Sequence, residues 1–177
     1  MDKLINVLQP PENPHSTGDK ARWTTIFSLL ETKLPSDYIK FIETYGTGGI
    51  DNFLWILTPF VNDEHVNLFL RQKEVSRAYS QSKLKFPQYY KRDVYPETGG
   101  ILPWGYTENG DELYCLTEGS LDEWKVVVYE SGSSENYIYS LSMTDFLYQI
   151  ITKKLACDVF LDDFPSDVAT FISVNVD

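Results

Sequence analysis

Histidine and cysteine, the residue types best suited to nucleophilic or metal chemistry, are few in this sequence and widely separated. The two histidines are His15, in a Pro-rich stretch, and His65, in an acidic run. The two cysteines, Cys115 and Cys157, do not form the CxxC spacing that is typical of zinc or redox sites. Neither an HExxH nor a GxSxG motif occurs. The sequence therefore predicts no metal ion, no cofactor and no catalytic residue, unless the fold brings a cysteine and a histidine together.

Three polar motifs resemble functional sites only in part. Gly46–Gly49 lacks the Lys-Ser/Thr of a phosphate-binding loop and follows a helix, so we expect a helix stop and then a flexible turn. The aspartates of residues 158–163 lack the glycine and the terminal glutamate of a calcium loop. Asp111 and Glu112 could form an acid–base pair if they were buried, but their place beside a hairpin turn favours solvated carboxylates.

The most distinctive feature is an acidic stretch, residues 108–135, in which aromatic residues are interleaved with carboxylates and Lys125 is the only base. Carboxylates raise the rate at which a basic protein associates, and exposed Tyr or Trp side chains supply affinity. We therefore expect a partner-binding site formed by Glu108, Asp111, Glu112, Tyr114, Glu118, Asp122, Glu123 and Trp124. The alternative is that the aromatics face the core while the acids face water, because side chains alternate along a strand.

The net charge of −11 is confined to one part of the chain. Residues 1–97 carry 12 basic and 12 acidic side chains, whereas residues 98–177 carry 3 basic and 14 acidic ones. Such a charge can simply keep a protein in solution, or it can steer a basic partner. It argues against a nucleic acid as the direct ligand, because binding phosphates requires Lys and Arg.

The basic residues at 71–85 are an alternative contact surface, for self-association with the acidic half.

The spacing of apolar residues predicts a single α+β domain, which suits a chain of 177 residues. Helices are predicted near 20–32, from Pro35 to Gly46, over 64–84 and from Ser142 onward, and strands over 53–57, 101–106, 112–116, 124–129 and 137–141. This order is not a repeating βαβ one. It indicates a mainly antiparallel, mixed sheet flanked by helices.

Local signals at three points specify how elements begin or turn. Ser36 and Asp37 place acceptors near the free amides of a helix start. Asn109-Gly110 predicts a tight type I′ hairpin, in which both residues have positive φ. Ser142, followed three residues later by Asp145, resembles a capping pair that opens a helix.

The two ends of the chain are predicted to differ from the middle. The Pro-rich residues 1–19 are expected to form an extended arm, because proline blocks a helix. Residues 20–177 are expected to form the domain, with a core over 20–152 and an acidic extension over 153–177 that packs against it. No apolar run suits a signal peptide or a membrane helix, which favours a cytoplasmic protein with reduced, buried cysteines.

Four segments, in their order along residues 20–152, resemble the SUKH superfamily. They are LPSDYIKFIETYGTGGI, ILPWGYTENGDELYCL, WKVVVYE and SLSMTDFLYQII. The most specific pieces are Leu34-Pro35 and Tyr45-Gly46 at the two ends of a helix, and the hairpin from Pro103–Gly105 to Asn109–Asp111.

The resemblance implies one sheet packed with helices, no catalysis, and a role in binding other proteins. Bacterial members are typically immunity proteins that neutralise toxins, many of them nucleases, and fungal members are regulators of cell-wall assembly. A nuclease that binds phosphate tends to be basic, so an acidic inhibitor would complement it. We therefore expect an immunity protein that binds a cognate, basic nuclease toxin. The alternatives are a non-catalytic regulatory scaffold and a hydrolase that uses Cys115 or a carboxylate pair.

Overall fold

Seven strands form one antiparallel sheet in the computed structural model, which describes residues 1–175. The helices are α1 (Asp2–Ile5), α2 (Lys20–Leu30), α3 (Ser36–Tyr45), α4 (Leu68–Lys85) and α5 (Met143–Ile151), and the strands are β1 (Gly48–Ile50), β2 (Leu54–Ile56), β3 (Ile101–Thr107), β4 (Glu112–Leu116), β5 (Lys125–Tyr129), β6 (Asn136–Tyr139) and β7 (Phe171–Ser173). The strand order is β6-β5-β4-β3-β2-β1-β7, and all neighbours pair antiparallel. The predicted α+β class, with one domain and a mainly antiparallel sheet, is therefore confirmed.

The loops lie alternately at the two ends of the strands, because β1 to β6 follow one another as a meander. We call these two ends of the strands the two edges of the sheet. The loops at 51–53, 108–111 and 130–135 lie at one edge, and the connection at 117–124 lies at the other. The segment before β7 reaches the first edge too, because Phe171 pairs with the last residue of β1. The two edges are separated by the length of β4, five residues or roughly 16 Å.

An apolar core lies on each face of the sheet. Along β5, Val126 and Val128 join a large core shared with α1, α2, α3 and α5, while Val127 and Tyr129 join a smaller core beneath α4. This alternation is the period of two that a pleated strand imposes. Four helices, α1, α2, α3 and α5, therefore pack on one face of the sheet, and α4 packs on the other face.

The helix α4 begins later than the predicted 64–84, because Asn67 caps it: the Asn67 side chain accepts a hydrogen bond from the Leu70 amide at 2.9 Å. Val75 and Tyr79 point into the smaller core. Leu70 and Leu84 lie on the other side of the helix and are exposed.

The helix α3 matches its prediction in extent but not in how it is capped. It ends at Gly46, whose φ of +69° lies in the left-handed region that glycine adopts more readily than other residues. At its start, the Ser36 amide donates to Asp122 across 86 residues of sequence, at 2.7 Å. Asp37 instead accepts from the Thr144 amide, at the start of α5. The expectation that Ser36 and Asp37 cap their own helix is therefore wrong. At α5, Ser142 accepts from the Asp145 amide, as its spacing predicts.

The glycine run after α3 is part of the sheet. Gly48 and Gly49 belong to β1, between β2 and β7, and both are buried. A Cβ atom at Gly48 would lie 2.2 Å from the Ile172 carbonyl oxygen, so only glycine lets β7 approach this closely. The prediction of a flexible turn is wrong here, because the run lacks the apolar side chains by which a strand is recognised.

The hairpin between β3 and β4 is present, but its turn differs from the predicted type I′. Only Gly110 has positive φ, and the loop holds three residues, Glu108 to Gly110, closed by the bond from the Thr107 amide to the Asp111 carbonyl. Three-residue hairpin loops commonly place glycine at the last position. The Asn-Gly pair therefore predicts the position of the turn correctly, but the predicted turn type is wrong.

The N-terminal residues do not form an extended arm. The chain begins with the one-turn helix α1, and Leu4 and Leu8 are fully buried in the large core. The Tyr45 hydroxyl donates to the Leu8 carbonyl at 2.6 Å, which ties this segment to α3. The prolines that suggested an arm follow these residues and do not prevent a short helix before them.

Candidate protein-binding surface

Exposed carboxylates gather at the edge of the sheet where the loops 51–53, 108–111 and 130–135 meet the segment 156–170. We call this surface the acidic edge, and its exposed members are Glu108, Glu130, Glu135, Asp158, Asp162, Asp163 and Asp167. These loops and this segment contain no Lys or Arg, but Lys153, just before the segment, pairs with Asp167 at 2.9 Å and lines the same cleft as Asp158 and Asp162. The negative charge of the C-terminal half is therefore concentrated on the loops of one edge.

Asp51 fixes the C-terminal segment to this edge. Its carboxylate accepts hydrogen bonds from the Ser166 amide at 3.0 Å and from the Thr170 amide at 2.8 Å. Nearby, the Phe53 ring packs against Phe164 with centroids 4.6 Å apart. These contacts explain why the segment is packed, as expected, although it is strongly acidic.

Asp111, which was predicted to touch a partner, is a structural residue of the acidic edge. It is only 3% exposed, and its carboxylate accepts from the Thr107 hydroxyl at 2.6 Å and from the Ser131 amide at 3.0 Å. It therefore ties the β3–β4 loop to the β5–β6 loop. The expectation of a solvated carboxylate is wrong, because the neighbouring loop covers this hairpin.

Glu112 and Tyr114 are hydrogen-bonded to each other just below the acidic edge. The Tyr114 hydroxyl donates to Glu112, and the Arg71 guanidinium of α4 lies 3.8 Å from the same carboxylate. Burial raises the pKa of Glu112, while the bond from Tyr114 and the charge of Arg71 oppose that rise. Tyr114 is 2% exposed and cannot be the predicted surface anchor.

The other four predicted contact residues lie at the opposite edge. Asp122 accepts from the Ser36 amide, and Glu123 accepts from the Ser120 amide and hydroxyl; these bonds lower the pKa of both carboxyls. Trp124 is 8% exposed and belongs to the large core. Glu118 is exposed. The structure therefore does not bring the eight residues together, and their two groups stand at opposite ends of β4.

Glu108 is the one predicted residue that is both exposed and on the acidic edge, where it accepts a hydrogen bond from the Trp55 indole. The predicted set omitted Glu130 and Glu135, which share that edge. Their position could have been found from the sequence, because alternate loops of an antiparallel meander meet at one edge. Asp158, Asp162 and Asp163 carried no such signal, since their place depends on the distant Asp51.

The two cysteines are free and buried. Burial raises the pKa of both thiols, so at neutral pH they are protonated and are poor nucleophiles. The arrangement thus gives no support to a hydrolase built on Cys115. Among residues 1–175, no three His, Cys, Asp or Glu side chains are grouped so that they could hold a metal ion.

The geometry defines an α+β protein whose exposed carboxylates are held on the loops of a rigid sheet, an arrangement suited to contacts with another protein. A family model described as SUKH_6, SMI1-KNR4 cell-wall, matches residues 22–147, which is more than half of the chain, and the chain therefore belongs to the SUKH superfamily. That superfamily is known for toxin immunity and for SMI1/KNR4-like members; it is generally non-catalytic and implies protein partners.

Neither the curated proteins nor the solved structures gave a significant match to this chain. In the described part of the chain, no helix combines the length and the apolar composition that crossing a membrane requires.

Proposed function

We propose that the protein is an immunity protein that binds and neutralises a cognate toxin, and that the toxin is a basic nuclease held against the acidic edge. The observation that carries the proposal is the set of exposed carboxylates on four chain segments without a Lys or Arg. Family membership supports it, because toxin immunity is one of the roles known for the superfamily.

Charge complementarity gives the proposed contact its physical basis. A nuclease cleft carries Lys and Arg to hold phosphates, so a carboxylate-rich surface can compete for the same side chains. Glu130, Glu135, Asp162 and Asp163 are suited to this role because their side chains form no hydrogen bond or ion pair with the described residues. Their negative charge is therefore not neutralised within the fold and can attract a cationic partner.

Apolar contact area is also available beside these carboxylates. Leu161 is 45% exposed between Asp158 and Asp162, and Val168 is more exposed still. We propose these two side chains as the apolar part of the contact, in place of Tyr114 and Trp124, which are buried.

The test is co-expression with the toxin domain encoded beside the gene for this chain, together with binding kinetics on the purified pair. We expect the protein to abolish toxin activity. In the edge variant, Glu130, Glu135, Asp162 and Asp163 are each replaced by Lys, and association should slow by at least about tenfold at low salt.

The matched control replaces four exposed acids outside the acidic edge, Glu12, Glu43, Glu97 and Glu118, by Lys, so the net charge changes equally. It should associate nearly as fast as the parent. Full toxin activity with the parent protein in excess would refute the immunity role. Equal loss in both variants would show that net charge acts, and not the acidic edge.

A regulatory scaffold is the second candidate, and the printed description of the matching family, SMI1-KNR4 cell-wall, favours it. Under this alternative the acidic edge binds a cell-wall or signalling protein without inhibiting a toxin. Co-purification from the native host separates the two, since recovery of a signalling or cell-wall protein and no toxin would favour the scaffold. The toxin proposal further implies a cytoplasmic site of action, where a nuclease meets its substrate.

A further inference from the structure

One region of this acidic protein is strongly cationic. Residues 68–92, which hold α4 and the start of the following loop, carry seven basic side chains and one acid, Glu74. The basic residues are Arg71, Lys73, Arg77, Lys83, Lys85, Lys91 and Arg92. We call residues 68–92 the cationic region. Its net charge is about +6 in a chain whose total is −11, and two of its bases are ion-paired, Arg71 with Glu74 and Lys83 with Asp93.

The outer face of α4 combines this charge with apolar side chains. Val75 and Tyr79 are buried against the sheet. At 100° per residue, Leu70, Lys73, Arg77 and Leu84 lie on the opposite side of the helix, and all four are exposed, Leu84 by 85%. Phe86 and Tyr89 continue the exposed apolar surface beyond the helix end. Exposed apolar residues beside charges mark a surface that contacts another molecule.

The cationic region and the acidic edge lie side by side. The Arg71 guanidinium reaches to 3.8 Å from Glu112, at the start of β4. Farther along α4, a cleft of about 230 Å³ separates Val75, Ala78 and Ser82 from Glu130 to Ser133 of the β5–β6 loop. The cationic region therefore borders the acidic edge along α4, with Arg71 at the border and with Lys73 and Arg77 on the side of the helix that faces away from the cleft.

We propose that this surface binds a second copy of the chain as a two-fold symmetric dimer, with the α4 face of each protomer on the acidic edge of the other. Adjacent surfaces of opposite charge are self-complementary about a two-fold axis that passes between them. The helix is about 27 Å long, which is enough to support the roughly 800 Å² per partner of a standard interface.

The same adjacency disfavours two other occupants of the α4 face. A nucleic acid or an anionic membrane would bring its phosphates against Glu108, Glu112 and Glu130 as well as against α4, and like charges in contact are costly. The exposed leucines also suit a protein partner better than a phosphate backbone.

The dimer does not depend on the proposed function, but the two are coupled. In the dimer each acidic edge is occupied by the α4 of the other protomer. A cationic partner that binds the acidic edge must therefore displace a protomer, and dimer formation should weaken partner binding by competition.

The test uses sedimentation of five proteins at low and high salt: the parent, two charge-reversal variants, their combination and a control. The parent should dimerise, and more weakly at high salt. The helix variant, with Lys73→Glu and Arg77→Glu, places like charges in contact with the acidic edge. The edge-pair variant, with Glu130→Lys and Glu135→Lys, does the same against α4. Each alone should dimerise at least about tenfold more weakly than the parent.

Charge exchange makes the test specific to this interface. An equimolar mixture of the helix variant and the edge-pair variant should form heterodimers, because each negative surface then meets a positive one. One chain carrying all four substitutions should dimerise again. The control, Lys20→Glu with Lys33→Glu, changes two exposed bases of α2 and of the loop after it, and it should leave the dimer unchanged.

Three results would overturn the proposal. The parent could be monomeric at low salt and high concentration. The dimer could persist in both variants, which would place the contact elsewhere, such as on the unpaired side of the outermost strand β6. The α4 face could instead bind a DNA duplex or phosphatidylserine vesicles without dimerising. The helix variant retains the acidic edge, so its ability to neutralise a toxin tests the proposed function separately.

Discussion

The two edges of the sheet receive their acids from one short stretch of sequence, yet they use them differently. At the opposite edge, Asp122 and Glu123 are bonded to backbone amides and hold helical segments in place. At the acidic edge, Glu130 and Glu135 are exposed on a loop and are not used by the fold. The number of carboxylates in a stretch of sequence therefore does not locate a binding surface. What matters is whether the fold has already provided each carboxylate with a donor.

Asp111, like Asp51, is hydrogen-bonded within the fold on the acidic edge, and replacing it should have the largest effect. Asp111→Ala leaves the buried Thr107 hydroxyl and the Ser131 amide without their acceptor. We expect a loss of about 2–3 kcal/mol in the free energy of unfolding, measured with urea. Glu130→Ala is the control and should change stability by less than about 0.5 kcal/mol. Similar losses for the two variants would contradict the distinction between bonded and free carboxylates.

Asp122→Ala should have the next largest effect, at the opposite edge. The variant removes the acceptor of the Ser36 amide, and the loss should be about 1 kcal/mol or less, because this cap is exposed and screened by solvent. The bond lowers the pKa of Asp122 below its ordinary 3.8, so the stabilisation is complete above pH 4 and is lost as pH falls through the folded-state pKa.

Unfolding of the parent and of Asp122→Ala at neutral pH and near pH 2 tests both points. The difference in stability between the two proteins should shrink in acid. A difference that stays constant over this range would show that the carboxylate charge is not what caps α3.

Glu112→Gln should reveal the opposite pH dependence at the acidic edge. Burial raises the pKa of Glu112 above 4.5, so its contribution to stability is complete below pH 4.5 and falls as pH rises through the folded-state pKa. The amide of the variant does not ionise. The stability of the variant relative to the parent should therefore increase from pH 4 to pH 7, as measured by urea unfolding. A relative decrease over this range would mean that the charge of Arg71 outweighs burial.

Glu118→Lys should have the smallest effect and completes the comparison. Glu118 is exposed at the opposite edge, so its replacement should change stability by less than about 0.5 kcal/mol. If the acidic edge is the contact, the variant should also keep the association rate of the parent with a cationic partner, within about twofold. A rate as slow as that of the edge variant would show that the two edges do not differ in function.

The elements could be predicted well from the sequence where a side-chain period was present. The apolar positions of α2, α3 and α5 repeat every three to four residues, and those of β4 and β5 alternate, so each was predicted close to its observed position. β1 was missed because Gly48 and Gly49 have no side chain to show a period. Leu4 and Leu8 were missed because a single turn is too short to show one.

The candidate site could be predicted only in part. The sequence located the acidic region and placed Glu108 in it, but it grouped Glu108 with Glu118, Asp122 and Glu123, ten to fifteen residues away. Proximity in sequence was the wrong measure, because five residues of β4 carry the chain from one edge to the other. Alternate loops, not consecutive ones, share an edge in a meander.

The charge of each half, the α+β class and most helices and strands can be predicted from the sequence, because they depend on composition and on periods within a few residues. Which carboxylates are free of hydrogen bonds, in contrast, depends on how the chain packs. Asp122 meets Ser36 across 86 residues of sequence, and Asp51 meets Ser166 across 115. A carboxylate becomes structural when a distant donor reaches it, and that donor is positioned by the packing of the whole chain.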